Sequence, residues 1–166
     1  RVSGDLTDHF DPKTNTIRLS ESVYDANTVA AVGVAAHEAG HAVQYATGYA
    51  PIKIRSAIIP ITNIGSNLAM PLVLIGLLLS SPMLANLGIL AFCFSTLFQL
   101  VTLPVEFNAS SRAIQTLENT GADENEVNGS KKVLRAAAMT YVAALAVSLA
   151  NLLRLFLMVN RNNRRR

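Results

Sequence analysis

SAIIPITNIGSNLAMPLVLIGLLLSSPMLANLGILAFCFSTLFQLVTLPV, residues 56–105, contains no Asp, Glu, Lys or Arg in 50 consecutive positions. A core helix of a soluble domain does not need such purity. A pair of membrane spans does, because a charge left in hydrocarbon is costly. Ser80-Ser81-Pro82 divides the run. Residues 83–103 form a segment of 21 residues. At about 1.5 Å per residue it covers about 30 Å, the thickness of the hydrocarbon core. Residues 58–79 form the other half, where Pro60 and Pro71 predict a kink. The two halves read as a hairpin that crosses the bilayer, turns and returns.

Composition agrees. Of 166 residues, 51% are hydrophobic and 15% charged, a low share of charge for a soluble domain. The length suits one domain with a real core. Cys93 is the single cysteine, which excludes an intrachain disulfide and a cysteine-based metal site. The net charge of +3 comes from the tail: Arg161, Arg164, Arg165 and Arg166 supply +4, leaving −1 for the rest. Such a tail suits anionic lipid headgroups. No basic or aromatic surface elsewhere would continue a nucleic-acid site, so no nucleic-acid partner is expected. The chain starts at Arg1 rather than Met and reads as a fragment.

Outward from the hairpin, Asp11-Pro12-Lys13-Thr14-Asn15 reads as a turn and Thr16-Ile17-Arg18-Leu19 as a short strand. Together they predict a small β-hairpin within residues 1–20. Asp25 or Asn27 is expected to cap a helix reaching about Thr47, with Gly48 at its end and Pro51 barring continuation. On the other side, Pro104 is expected to start a polar-faced helix over residues 105–118. Residues 119–130 are polar and rich in turn formers, and read as a lid or an idle loop. A third apolar stretch has 18 uncharged residues between Arg135 and Arg154 and continues to Val159.

Within the predicted helix lies His37-Glu38-Ala39-Gly40-His41. Two histidines four apart share one helix face, so both imidazoles can bind a single Zn²⁺. The glutamate after the first histidine is placed to take a proton from a water on that zinc, which points to hydrolysis. No Lys or Arg occurs between Leu19 and Ile52 to repel a cation. A catalytic zinc site usually takes a third protein ligand and leaves a position for water. Glu106 is the candidate, because the hairpin returns the chain just before it. Ala109, Ser110 and Ala113 share a stripe with Glu106, and Ala36, Ala39 and Gly40 surround the histidines. Small residues on both surfaces let two backbones approach. Candidates for an oxyanion donor are His9, Asn108 and Arg112. A partner orienting each histidine is required, and the residues alone identify none.

Three stretches carry a resemblance to a known family: Leu6-Thr7-Asp8-His9-Phe10-Asp11-Pro12, the segment from Ala35 to Gln44 around the two histidines, and Leu103-Pro104-Val105-Glu106-Phe107-Asn108-Ala109-Ser110-Ser111-Arg112-Ala113. In these, and in the order of apolar segments, the chain resembles the YugP-type neutral zinc metallopeptidases, membrane proteins of bacteria. The resemblance implies zinc, peptidase activity, a polypeptide substrate and a multi-pass place in the bacterial cell membrane. The site is also similar to that of HtpX-like membrane metalloproteases, whose third ligand opens a Glu-x-x-Ala-Asp pattern. Here Glu106, Ala109 and Ala113 are in register, and Ser110 stands where those enzymes carry the aspartate.

The expected fold is mainly α: a zincin-like His-Glu-x-x-His helix, a transmembrane helical hairpin, a further apolar helix and a small N-terminal β-hairpin. It forms one membrane metallopeptidase domain. Residues 1–55 hold the ribbon and histidine helix, 56–103 the hairpin, 104–132 the third-ligand helix and polar loop, and 133–166 the apolar helix and basic tail. Lys53, Arg55, Arg112, Lys131, Lys132 and Arg135 flank the hairpin on the site's side, and none lies in its turn. By the positive-inside rule that face is cytoplasmic. A spanning third segment would put the four tail arginines opposite; either that segment lies in the interface or re-enters, or the site faces outward. The substrate is then a membrane or membrane-adjacent polypeptide. Tyr45 and Tyr49 suit headgroup anchors. Asn63, Asn67, Asn86 and Gln99 suit hydrogen bonds between helices, or the transport path of a non-enzymatic scaffold or transporter with structural or absent metal.

Overall fold

The computed structural model describes residues 1–163. Arg164, Arg165 and Arg166 of the basic tail lie outside the described residues. The architecture is mainly helical, with one small N-terminal sheet. Strands β1 (His9–Asp11) and β2 (Thr16–Arg18) pair antiparallel, Phe10 opposite Ile17. Asn15 turns between them with φ of +51°. Asp11 ties the turn by accepting from the Thr14 hydroxyl at 2.8 Å and the Lys13 backbone N–H at 2.9 Å. These donors, the Thr14 hydroxyl foremost, hold its carboxyl down at about 2.

A short helix α1 (Glu21–Tyr24) precedes α2 (Val29–Ala46). The cap of α2 is Thr28, not Asp25 or Asn27: its side chain accepts from the Ala31 backbone N–H at 3.2 Å. Asp25 instead closes α1 as its C-cap, so the long helix begins later. Gly48 ends α2 in the left-handed region, φ +66°, which a residue with a Cβ enters only at a cost.

The three long helices are α3 (Ala50–Leu78), α4 (Pro82–Asn119) and α5 (Glu124–Asn163). Each is long and apolar enough to cross a membrane. Two boundaries differ from expectation. Pro104 does not start a new helix; it lies inside α4, which runs unbroken from the apolar segment through Glu106. An interior proline forfeits one backbone hydrogen bond, and the apolar turn before it and the buried Val105, Glu106 and Ala109 after it carry the helix through. Residues 119–130 are not a loop either. Only Thr120 to Asp123 separate α4 from α5. Asp123 accepts from the Glu126 N–H at 2.9 Å, and Glu126 accepts from the Asp123 N–H at 3.1 Å. This reciprocal box starts α5 among residues whose polarity suggested a turn.

The residues group into two compact units. The first comprises Arg1–Lys53 and Leu103–Thr140. Its core is Ala36, Ala113, Leu117 and Leu134, with Val32, Ile114, Ala122 and Val127 packed around them. Ser130 is fully buried and donates to the Val29 carbonyl at 3.3 Å, fixing the start of α5 against α2. Tyr45 lies across Phe10, ring centroids 5.5 Å apart, and holds β1 over α2. The second unit comprises Ile54–Thr102 and the chain from Tyr141 onward. Val73, Ala85, Leu155 and Val159 form its core, packed by Leu77, Ile89 and Phe92. Asn63, Asn67 and Asn86 are exposed rather than paired across its helices. A buried interhelical hydrogen bond runs instead from Thr96 to Ser148, 2.8 Å.

Candidate metal centre

Three ligand-capable side chains meet in the first unit. His37 and His41, one turn apart on α2, and Glu106, on α4, place their ligand atoms within 4.8 Å of one another. His37 Nε2 lies 3.1 Å and His41 Nε2 3.7 Å from Glu106 Oε2. The two imidazoles meet edge to face, centroids 4.7 Å apart. Glu106 is 2% exposed and His41 8%.

The close approach of α2 and α4 makes this convergence possible. Ala109 and Ala113 are fully buried. A Cβ built on Gly40 would stand 2.4 Å from the Ala109 carbonyl oxygen, closer than any real contact. Gly40 is therefore required by the backbone of the opposite helix, and its cost in helix propensity, about 1 kcal/mol, is offset by that packing.

Each histidine is held at its other nitrogen. His41 Nδ1 lies 2.9 Å from Gln44 Oε1, and His37 Nδ1 lies 3.2 Å from Ser110 Oγ. Gln44 in turn donates to the Val105 carbonyl at 2.8 Å and to Asn108 Oδ1 at 3.0 Å. Neither partner was identified from the residues. Gln44 stands one helical turn after His41, and that local spacing is a usable signal. Ser110 occupies the position where the Glu-x-x-Ala-Asp pattern carries aspartate, and its hydroxyl reaches His37 Nδ1.

Glu38 is buried beside the cluster. Burial pushes its carboxyl upward; the His41 and His37 imidazoles pull against this, Glu106 adds to the rise, and the Phe10 backbone N–H lowers it. The outcome is a raised value, the direction that suits a proton acceptor working near neutrality. For His41, burial alone would lower the imidazole, but the hydrogen bond and charge of Glu106, with Gln44 and Glu38, outweigh it and leave it raised. The three candidate oxyanion donors are each engaged with other partners. His9 is exposed, its Nδ1 bonded to the Thr7 carbonyl at 2.7 Å. Asn108 accepts from Gln44 and, at 2.8 Å, from Arg112 Nε, and the Arg112 guanidinium lies over the Tyr49 ring.

Comparison with known proteins bears on this cluster. The family described as "Putative neutral zinc metallopeptidase" matches residues 1–160. The chain belongs to this family. It is similar to "Putative membrane protease YugP" of Bacillus subtilis (strain 168), 51% identical over 164 residues, which covers 98% of this chain and 72% of that protein. No solved structure matches. The resemblance read from the sequence is thereby shown, and with the three apolar helices it associates this neutral zinc metallopeptidase family member with a membrane.

The family implies zinc, and the donor set fits that ion. Two imidazole nitrogens and a carboxylate oxygen are the ligand types of catalytic zinc sites. With bonds near 2.0–2.1 Å and tetrahedral angles, two ligands of one zinc lie about 3.3 Å apart. The observed 3.1 and 3.7 Å bracket that separation. The Nδ1 atoms are already bonded to Ser110 and Gln44, which leaves both Nε2 atoms turned to the shared point.

Proposed function

We propose that this chain is a membrane-embedded zinc endopeptidase in which His37, His41 and Glu106 hold the metal and Glu38 is the general base. The observation that carries the reading is the convergence of three ligand atoms from two helices within 4.8 Å, with Glu38 buried beside them. The alternative of a scaffold or transporter has no comparable cluster to support it among the described residues.

Zinc in this site would supply Lewis acidity, bringing a water's pKa towards about 7 and polarising the scissile carbonyl. Glu38 takes the proton as the water oxygen attacks the carbonyl carbon. It then delivers that proton to the amide nitrogen as the C–N bond breaks, leaving a carboxylate and an amine. The Phe10 N–H holds the Glu38 carboxylate in place for both transfers. Gln44 and Ser110 orient the imidazoles.

The metal count tests the reading. Purified chain, handled without chelator, should carry close to one zinc, and His37→Ala should carry almost none. A metal-free wild type would end the proposal.

The substrate class proposed is a membrane or membrane-adjacent polypeptide, cleaved by a multi-pass protein of the bacterial cell membrane. Six cations, Lys53, Arg55, Arg112, Lys131, Lys132 and Arg135, against four arginines in the tail favour a cytoplasmic site. A cysteine introduced at the exposed Thr120, in a Cys93→Ser background, should be shielded from a membrane-impermeant maleimide in intact cells. Labelling from outside would reverse the orientation.

A further inference from the structure

Gln44 is fully buried, yet every polar atom of its side chain is engaged. The direction of those bonds is not free. The Val105 carbonyl oxygen can only accept, so the Gln44 atom facing it at 2.8 Å must be the amide nitrogen. The second partner of that nitrogen is Asn108 Oδ1, 3.0 Å away. Its orientation is fixed from the far side, because Arg112 Nε, 2.8 Å from the same oxygen, can only donate. With both acceptors on its nitrogen, Gln44 presents its oxygen to His41 Nδ1, 2.9 Å away. That oxygen can only accept, so Nδ1 carries a hydrogen.

We infer that Arg112, Asn108 and the Val105 carbonyl form a polarity lock that acts through Gln44 to keep the His41 proton on Nδ1 and the Nε2 lone pair turned to the metal. The lock treats the two histidines differently. The Ser110 hydroxyl beside His37 rotates, donating or accepting as required. His41 has no such latitude, since reversing Gln44 would set its oxygen against the Val105 carbonyl and the Asn108 oxygen. Gln44, Asn108 and Arg112 are thus positioning residues, and the inference assigns the last two a role other than stabilising an oxyanion. It rests on the zinc reading given above.

The experiment uses the full chain in detergent micelles and reads two quantities: zinc affinity by competition with a chromogenic chelator, and the visible absorption of the Co²⁺-loaded protein, which reports ligand geometry. Gln44→Met keeps the volume and removes the acceptor. Its zinc affinity should fall about 10- to 100-fold, the usual range for losing a partner that orients a ligand, and its cobalt bands should shift. Asn108→Leu should weaken binding by less, because the Val105 carbonyl still holds Gln44. Asn108→Asp accepts from both Gln44 and Arg112 and should restore wild-type affinity. If Gln44→Met fails to fold, the two Asn108 variants decide. Wild-type affinity and an unchanged cobalt spectrum in Gln44→Met overturn the lock and leave the zinc reading standing. Asn108→Asp as weak as Asn108→Leu also overturns it, because packing alone then matters. A wild type that takes up neither metal overturns both.

Discussion

Glu38→Gln is expected to keep its zinc and lose its peptide cleavage. The substitution preserves volume, and the amide oxygen can still accept from the Phe10 N–H. The carboxylate's capacity to take a proton is gone. General-base catalysis is worth about 10²- to 10⁴-fold, or roughly 3 to 5 kcal/mol of barrier. The fold should tolerate the change, because a buried charge is being removed. Single-turnover cleavage of a model membrane polypeptide, with zinc counted in the same sample, checks the expectation. Cleavage at the wild-type rate would remove Glu38 from the mechanism. Loss of zinc alongside cleavage would mean that its carboxylate builds the site.

The second large effect is expected of a single methyl group. Gly40→Ala places a Cβ 2.4 Å from the Ala109 carbonyl oxygen, whereas ordinary contact begins near 3.4 Å. The obstructing atom is backbone, which cannot rotate away, so α2 and α4 must part by about 1 Å at that point. Metal–ligand distances tolerate only about 0.2 Å. Glu106 sits one turn before Ala109 on the helix that is pushed off. Zinc affinity should drop by about 100-fold, the upper end for disturbing a ligand's support, and stability by about 1–3 kcal/mol, the usual cost of overpacking. Chelator competition and thermal unfolding measure the two. Wild-type zinc affinity in this variant would refute the account of why the helix carries a glycine there.

Much of this was legible in the residues. The apolar helices stand out because lipid imposes a composition that soluble packing does not. His37 and His41 stand out because their spacing matches the helical repeat. Glu106 was expected near the histidines by topology, since a hairpin returns its chain near where it left, and the three side chains do converge; the small residues around it marked a close helix crossing. The misreadings concern local signals that tertiary context overrode. Pro104 looked like a start, but the apolar turn before it and the buried Val105, Glu106 and Ala109 after it keep α4 whole. Asp123-Glu124-Asn125-Glu126 looked like loop because its polarity was read before its capping geometry. The partners of the histidines were only half legible: the spacing of Gln44 from His41 is a local signal, but what fixes its orientation is not. Gln44 acquires its role from the Val105 carbonyl and from Asn108, 64 positions away, and no local pattern contains that meeting.

The separation of ligands along the chain also orders events in time. Glu106 lies 69 positions after His37, so at bacterial or eukaryotic elongation speeds it leaves the ribosome roughly 3 to 14 s later. On the proposed reading, during that interval the chain has the two histidine ligands and the base but lacks the third ligand. Both apolar halves of residues 56–105 must be synthesised first. A protease newly emerging beside other unfinished membrane chains would thus be born without its chemistry, and would acquire it only after its own spans have been made.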